Sequence, residues 1–112
     1  MTLGIYTNNS EKWIGKVIKR IYPYIGKEVT ELIIIDDMST DNTVPIIVET
    51  IGQDFMQEDI FKFFINTKDK GYKNSVDKMN KIKTNDKLLV INKNINIRKL
   101  KKKVGKLLDD KN

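Results

Sequence analysis

Four short apolar runs alternate along the chain with segments whose apolar residues return every three or four positions. Residues 3–6, 32–35, 61–65 and 88–91 are the runs, and their length between polar turn residues predicts β-strands. The second is continuous and β-branched, as expected of a parallel strand covered on both faces. Between the strands, Trp13, Ile14, Val17, Ile18 and Ile21 fall at helical spacing, with Asn9 or Ser10 as the expected N-cap and Pro23 and Gly26 as the stop. Pro45 suits the first turn of a second helix that turns Ile46, Ile47 and Ile51 inward. A third helix, from about Tyr72 to Ile82, points Val76, Met79 and Ile82 at the core. The order βαβαβαβ predicts right-handed crossovers and a Rossmann-like three-layer α/β sandwich around a mainly parallel four-stranded sheet.

The tail NIRKLKKKVGKLLDDKN (96–112) adds an amphipathic basic helix with Leu100, Val104, Leu107 and Leu108 on one stripe. It lacks the aromatic anchors of an interfacial helix, so the stripe is expected to pack on the sheet rather than on a membrane. Gly105 weakens its end. No internal repeat or linker interrupts the 112 residues, which are expected to form one domain.

Composition narrows the chemistry. The chain has no cysteine and no histidine, which excludes disulfides, thiolate metal sites and the commonest general base, and leaves carboxylates, lysines, hydroxyls and amides. No run reaches the length of a membrane span and no signal-peptide pattern follows Met1, so a cytoplasmic location is the default expectation. The net charge of +6 is unevenly spread: residues 1–60 carry five Lys/Arg against ten Asp/Glu, residues 61–112 sixteen against five. A basic half beside an acidic loop suits a phosphorylated ligand, nucleic acid or an anionic surface, or it simply solvates helix faces.

The segment ELIIIDDMSTDNT (31–43) places Asp36 and Asp37 at the carboxyl end of the second strand. Ligands of open α/β sheets bind at that end, so the pair is positioned for chemistry, whereas Asp41 reads as a local cap. Receiver domains also carry a double aspartate, but after their first strand. Here it follows the second, and no later strand ends in a suitable aspartate.

Four segments together resemble the nucleotide-binding half of family 2 glycosyltransferases, which have the GT-A fold, over roughly residues 2–97. GIYTNN (4–9) resembles the family's first-strand pattern ending P-T-Y-N; LIIIDDMSTDNT (32–43) is similar to V-V-D-D-x-S-x-D-x-T; NTKDKGYKNSVDKM (66–79) resembles N-x-x-N-x-G-x-x-x-A-x-N; and LLVINKN (88–94) falls where the family places D-x-D or N-P-D. The resemblance implies a nucleotide-diphospho-sugar donor of UDP or dTDP type, bound by Tyr6, Thr7, Asn8, Asn9, Asp36, Asp37, Ser39, Gly71 and Lys73. It gives Asp37 the imide N–H of the base, Gly71 a turn where a side chain would obstruct the ligand, and Lys73 a phosphate or else a solvated helix face. Asn8 stands at the tyrosine position, so Tyr6 either supplies the missing ring or belongs to the core.

The largest departure is Asn92, Lys93 and Asn94 at the D-x-D position. Neutral amide oxygens are weak ligands for Mg or Mn, so a cofactor metal is expected to bind poorly, with the Lys93 ammonium offsetting part of the diphosphate charge. The family's acceptor-binding half and its catalytic base have no counterpart here, which implies completion by a partner chain or a homo-oligomer if the protein is an enzyme. The alternatives are a non-catalytic relative and a small basic module. Nucleic acid ranks low, because the lysines lack interleaved aromatics.

Overall fold

The structure, a computed structural model, describes residues 1–52 and 59–109, with only the backbone of residues 97 and 107–109. Its elements are β1 (Thr2–Thr7), α1 (Ile14–Ile21), a 3-10 turn (Tyr22–Tyr24), β2 (Glu31–Asp37), α2 (Thr43–Ile51), β3 (Phe61–Asn66), α3 (Gly71–Ile82), β4 (Leu88–Ile91) and α4 (Ile97–Asp109). All strand pairs are parallel, in the order β3-β2-β1-β4. The chain therefore steps outward from β1 to β3, then returns across α3 to lay β4 on the other side of β1. That reversal opens a crevice at the carboxyl ends of β1 and β4, where doubly wound sheets take their ligands.

Helices cover both faces of the sheet, as the alternation predicts. On one face Leu3, Ile5, Leu32, Ile34 and Ile91 pack with Ile14, Val17, Ile18 and Ile21 of α1, Ile47 and Ile51 of α2, and Leu100 and Val104 of α4. Each fully buried aliphatic side chain contributes about 1.5–3 kcal/mol relative to exposure, so this face holds most of the hydrophobic stabilisation. The opposite face is thinner: Ile33, Ile35 and Met79 form its buried centre, joined by half-buried Tyr6, Phe64, Ile82, Leu88 and Val90. α3 lies close to β1 there because Gly4 has no side chain; a Cβ at that position would stand 2.5 Å from Met79 Sδ.

The rim of the sheet at the amino ends of the strands is tied by Glu31, 1% exposed. Its Oε1 accepts hydrogen bonds from Thr2 Oγ1 at 2.6 Å and the Thr84 N–H at 2.9 Å, and its Oε2 pairs with Lys62 Nζ at 2.6 Å. Burial pushes this carboxyl up, but the bonds from Lys62, Thr2 and Thr84 outweigh it and hold the pKa below the usual range.

Two expectations need correction. Neither Asn9 nor Ser10 caps α1 through its side chain: the helix begins at Ile14, and the Ser10 carbonyl accepts the Trp13 and Ile14 N–H groups through an intervening turn. Both side chains are engaged elsewhere. Val76 and Ile82 are half-buried rather than fully inward, because α3 covers β1 and β2 and leaves the edge strand β3 partly open. Leu100 and Val104 of the basic tail are buried as expected, whereas the side chains of Leu107 and Leu108, and all of Asp110, lie outside the described residues.

Two glycine substitutions separate packing from backbone entropy. Gly4→Ala drives a methyl into the Met79 thioether and is expected to cost about 1–3 kcal/mol as overpacking. Gly105→Ala, with nothing within 4 Å of the new Cβ, is expected to gain about 0.5–1 kcal/mol within α4. Urea unfolding of the two variants measures both.

Candidate functional site

Parallel strands alternate their side chains, so adjacent aspartates at the end of β2 enter opposite faces of the sheet. Asp36 turns towards the α1/α2 side. Its Oδ1 accepts Thr7 Oγ1 at 2.7 Å and Ser39 Oγ at 2.6 Å, and its Oδ2 accepts the Ser39 N–H at 3.1 Å. Asp36 therefore stitches the end of β1 to the turn after β2.

Asp37 turns towards α3, and its side chain is 0% exposed. Oδ2 accepts the Tyr6 hydroxyl at 2.8 Å and the Gly71 N–H at 2.9 Å; Oδ1 accepts the Lys70 N–H at 2.9 Å and Asn66 Nδ2 at 3.2 Å. A carboxylate offers about four acceptor positions, and all of them are filled. In this arrangement Asp37 joins β1, β2, β3 and the start of α3, and a further donor reaches it only in exchange for one of these four. Burial alone would raise its pKa, but the Lys70 N–H, the Tyr6 hydroxyl, Asn66 and the Gly71 N–H hold it at about 2. Tyr6 moves the other way, pushed well above the ordinary phenol range by burial, by the hydrogen bond to Asp37 and by the nearby carboxylate charges. The pair is thus a phenol donating to a carboxylate. The Tyr6 ring also meets exposed Tyr72 edge-on at 5.2 Å, so it stands at the surface of the thin face rather than deep within it.

Above these aspartates, the loop after β1 and the turn after β2 clasp each other. Asn8 Nδ2 donates to the Asp37 carbonyl at 2.5 Å, and the Asn9 N–H to Ser39 Oγ at 2.8 Å. Asn9 Oδ1 accepts the Thr40 N–H at 2.8 Å and the Asp41 N–H at 3.3 Å. The Ser10 N–H donates to Thr43 Oγ1 at 2.7 Å, while its hydroxyl accepts the Asn8 N–H at 3.1 Å rather than capping α1. Asp41 is structural, as its position suggests: Oδ1 accepts the Thr43 N–H at 3.0 Å and Oδ2 the Glu11 N–H at 3.2 Å. Asn9 and Met38 both adopt positive φ, 48° and 55°. Asparagine tolerates this conformation; a methionine there is held by the surrounding hydrogen bonds.

Gly71 has φ +81°, and a Cβ there would meet nothing within 4 Å. The positive φ suits glycine, and the turn it makes aims the Gly71 N–H at Asp37. Lys73 is exposed in the first turn of α3. Asn92, Lys93 and Asn94 are exposed after β4, and Asn94 Oδ1 accepts Arg20 Nη1 at 2.9 Å, with Ile95 O accepting the same nitrogen at 2.5 Å. The Asn94 amide oxygen thus already carries a guanidinium, whose charge repels a divalent cation. Among the described residues no group of three or more His, Cys, Asp or Glu could hold a metal ion. Asn92, Lys93 and Asn94 themselves offer a divalent cation no carboxylate oxygen.

Sequence reasoning missed three participants. Lys70 acts through its backbone N–H, which leaves no trace in residue type. Arg20 is remote in sequence from Asn94. Asn66 was visible as the first asparagine of the 66–79 pattern, although its partner was not.

The model of the glycosyl transferase family 2 matches residues 2–93, and the chain belongs to that family. Its fold is that of the GT-A glycosyltransferases, as the four segments imply. The Staphylococcus aureus protein TarS (residues 1–349, in complex with UDP) superposes with a TM-score of 0.68 at 22% identity, over 93% of this chain and 30% of that one. The mannosyltransferase PcManGT of Pyrobaculum calidifontis, in complex with GDP-Man and Mn2+, superposes with a TM-score of 0.65 at 16% identity, over 81% of this chain and 26% of that one. The chain thus spans less than a third of the length of either structure. No curated protein matches it.

Acid stability follows from Asp37. Its folded pKa of about 2 lies below the ordinary 3.8, so the unfolded chain binds this proton more tightly. The contribution is fully present above about pH 4 and is lost as pH falls through about 2. Urea midpoints measured from neutral pH downward are expected to stay level and then drop across that window, and Asp37→Asn is expected to flatten the drop while lowering stability at neutral pH.

Proposed function

We propose that this chain is the donor-binding part of a glycosyltransferase and takes a nucleotide-diphospho-sugar of UDP or dTDP type at the carboxyl edge of β1, β2 and β4. The reading is supported above all by the Asp36–Asp37 turn, clasped to the loop after β1 at the ligand-binding edge of a family 2 fold. Asp36, Thr7 and Ser39 hold that clasp in shape. Exposed Asn8 and Asn9 line its outer side, and Lys73 and Lys93 bring ammonium charge to the diphosphate.

The saturation of Asp37 specifies how a base enters. Two of its four donors are backbone N–H groups fixed by the start of α3, and two are side chains that rotate. The imide N–H of a uracil or thymine ring takes the place of the Tyr6 hydroxyl on Oδ2, and the displaced phenol ring lies against the base. Charge neutralisation of the leaving diphosphate falls to lysine rather than to a divalent cation. Transfer requires an acceptor side and a carboxylate that deprotonates the acceptor hydroxyl, supplied by further polypeptide, a partner chain or a second copy. A cytoplasmic setting suits such a donor, and no helix among the described residues is long and apolar enough to cross a membrane.

Thermal shift with uridine and thymidine diphosphate tests the reading. Wild type is expected to gain melting temperature with ligand. Tyr6→Phe loses one charge-assisted hydrogen bond, about 1.5–3 kcal/mol of stability, yet leaves Oδ2 open, so its ligand-induced gain is expected to exceed that of wild type. If neither protein responds to any nucleoside diphosphate, the donor-binding reading is wrong.

The metal dependence is a separate test. Ligand-induced stabilisation is expected to be the same with manganese and with chelator, whereas Lys93→Gln weakens nucleoside diphosphate binding about three- to tenfold and leaves nucleoside binding unchanged. A strict manganese requirement contradicts the assignment of Lys93.

A further inference from the structure

Beside the clasp, on the side of α3 that faces the edge strand β3, lies a cavity of about 150 Å³ lined by Asn66, Lys70, Asn74, Ser75 and Lys78. It lies beyond β2 from the crevice between β1 and β4, and neither the family pattern nor the nucleotide reading assigns Lys70, Asn74, Ser75 or Lys78 a ligand. Ser75 is 2% exposed, and its hydroxyl oxygen is buried without a hydrogen-bond partner. A buried hydroxyl left unpaired is costly, and this one belongs to the lining of the cavity.

The remaining lining is rich in donors. Asn66 and Asn74 each spend one N–H, on Asp37 at 3.2 Å and on the Lys70 carbonyl at 2.6 Å, and each keeps a second. Lys78 Nζ sits 4.0 Å from the centroid of the Phe64 ring, which holds its ammonium close to the end of β3. Lys70 adds a second ammonium, and no carboxylate lines the cavity. The nearest buried acid, Asp37, stands behind Asn66 with its charge spread over four donors. This volume far exceeds the roughly 10–15 Å³ that a single water needs, and it leaves room for a tetrahedral oxyanion.

We propose that this cavity between α3 and the end of β3 is an oxyanion site that takes a phosphoryl group. The Lys70 and Lys78 ammoniums supply the counter-charge, the Ser75 hydroxyl donates from the floor, and the second N–H groups of Asn66 and Asn74 fix the orientation. Two ammoniums match a dianion, which favours phosphate over carboxylate ligands. The phosphoryl group comes either from a free or small phosphorylated metabolite or from a nucleotide bound nearby.

Inorganic phosphate is the probe, titrated at constant ionic strength into the 15N-labelled chain. Saturable shifts are expected at the amides of Asn74, Ser75 and Lys78. Ser75→Ala removes a hydroxyl that has no partner, so its melting temperature is expected to match or exceed that of wild type while phosphate binding weakens about tenfold, the loss of one charge-assisted hydrogen bond. Lys70→Gln/Lys78→Gln is expected to abolish the shifts. A repeat with saturating uridine diphosphate separates the two sources: undiminished phosphate binding assigns the site to an independent ligand, and competition assigns it to the nucleotide's own phosphate. The proposal is overturned if phosphate causes no saturable shift up to tens of millimolar, or if the same shifts persist in the double lysine variant. Because inorganic phosphate carries no base, failure here leaves the response to nucleoside diphosphates, and the reading built on it, untouched.

Discussion

The carboxylate of Asp37, buried and hydrogen-bonded to four donors, is the interaction on which the arrangement of this molecule depends. The donors come from three places: the end of β1, the end of β3, and the two residues that open α3. Burying an ion is affordable only when its partners are in place, so these segments are fixed relative to one another as a set. The left-handed turn at Gly71 follows from the same constraint, since it aims an N–H at the acid. One charge thereby sets the direction of α3 and the closeness of that helix to β1 above Gly4.

The two aspartates divide a task that the sequence presents as one motif. Alternation along β2 sends Asp36 to one face and Asp37 to the other, so the first shapes the clasp between loops and the second anchors a helix. Neither is spare. Any ligand chemistry at this edge has to be carried by groups that remain exposed, or by exchange with a donor that can rotate. That is why a half-buried tyrosine matters as much as the acids it neighbours. At the neighbouring corner Arg20 of α1 reaches the asparagine that follows β4 and brings a guanidinium charge there.

Much of the fold was legible because it rests on periodicity. The β-branched run 32–35 and the three- and four-residue spacing in α1, α2 and α3 both report burial directly, and the observed elements follow them closely. What failed was local capping. Asn9 and Ser10 are good cap residues by type, but the Asn9 side chain accepts from the Thr40 N–H and the Ser10 hydroxyl is held by the backbone of Asn8, and propensity has no knowledge of those partners. The clasp around the Asp-Asp turn was visible in outline, as polar residues at the carboxyl ends of the first two strands. Its wiring was not, since two of the four donors to Asp37 are backbone groups, and the partner of Asn94 lies on α1.

At the far rim, Glu31 binds Thr2, Thr84 and Lys62 and so locks three strands and the approach to β4 without any help from the loops of the opposite edge. Alignment of the sheet is thereby insulated from change at its mouth. Such a partition lets mutations remodel the loops, altering what they recognise, while the scaffold beneath them keeps its registration; it makes this small frame a tolerant platform for divergence.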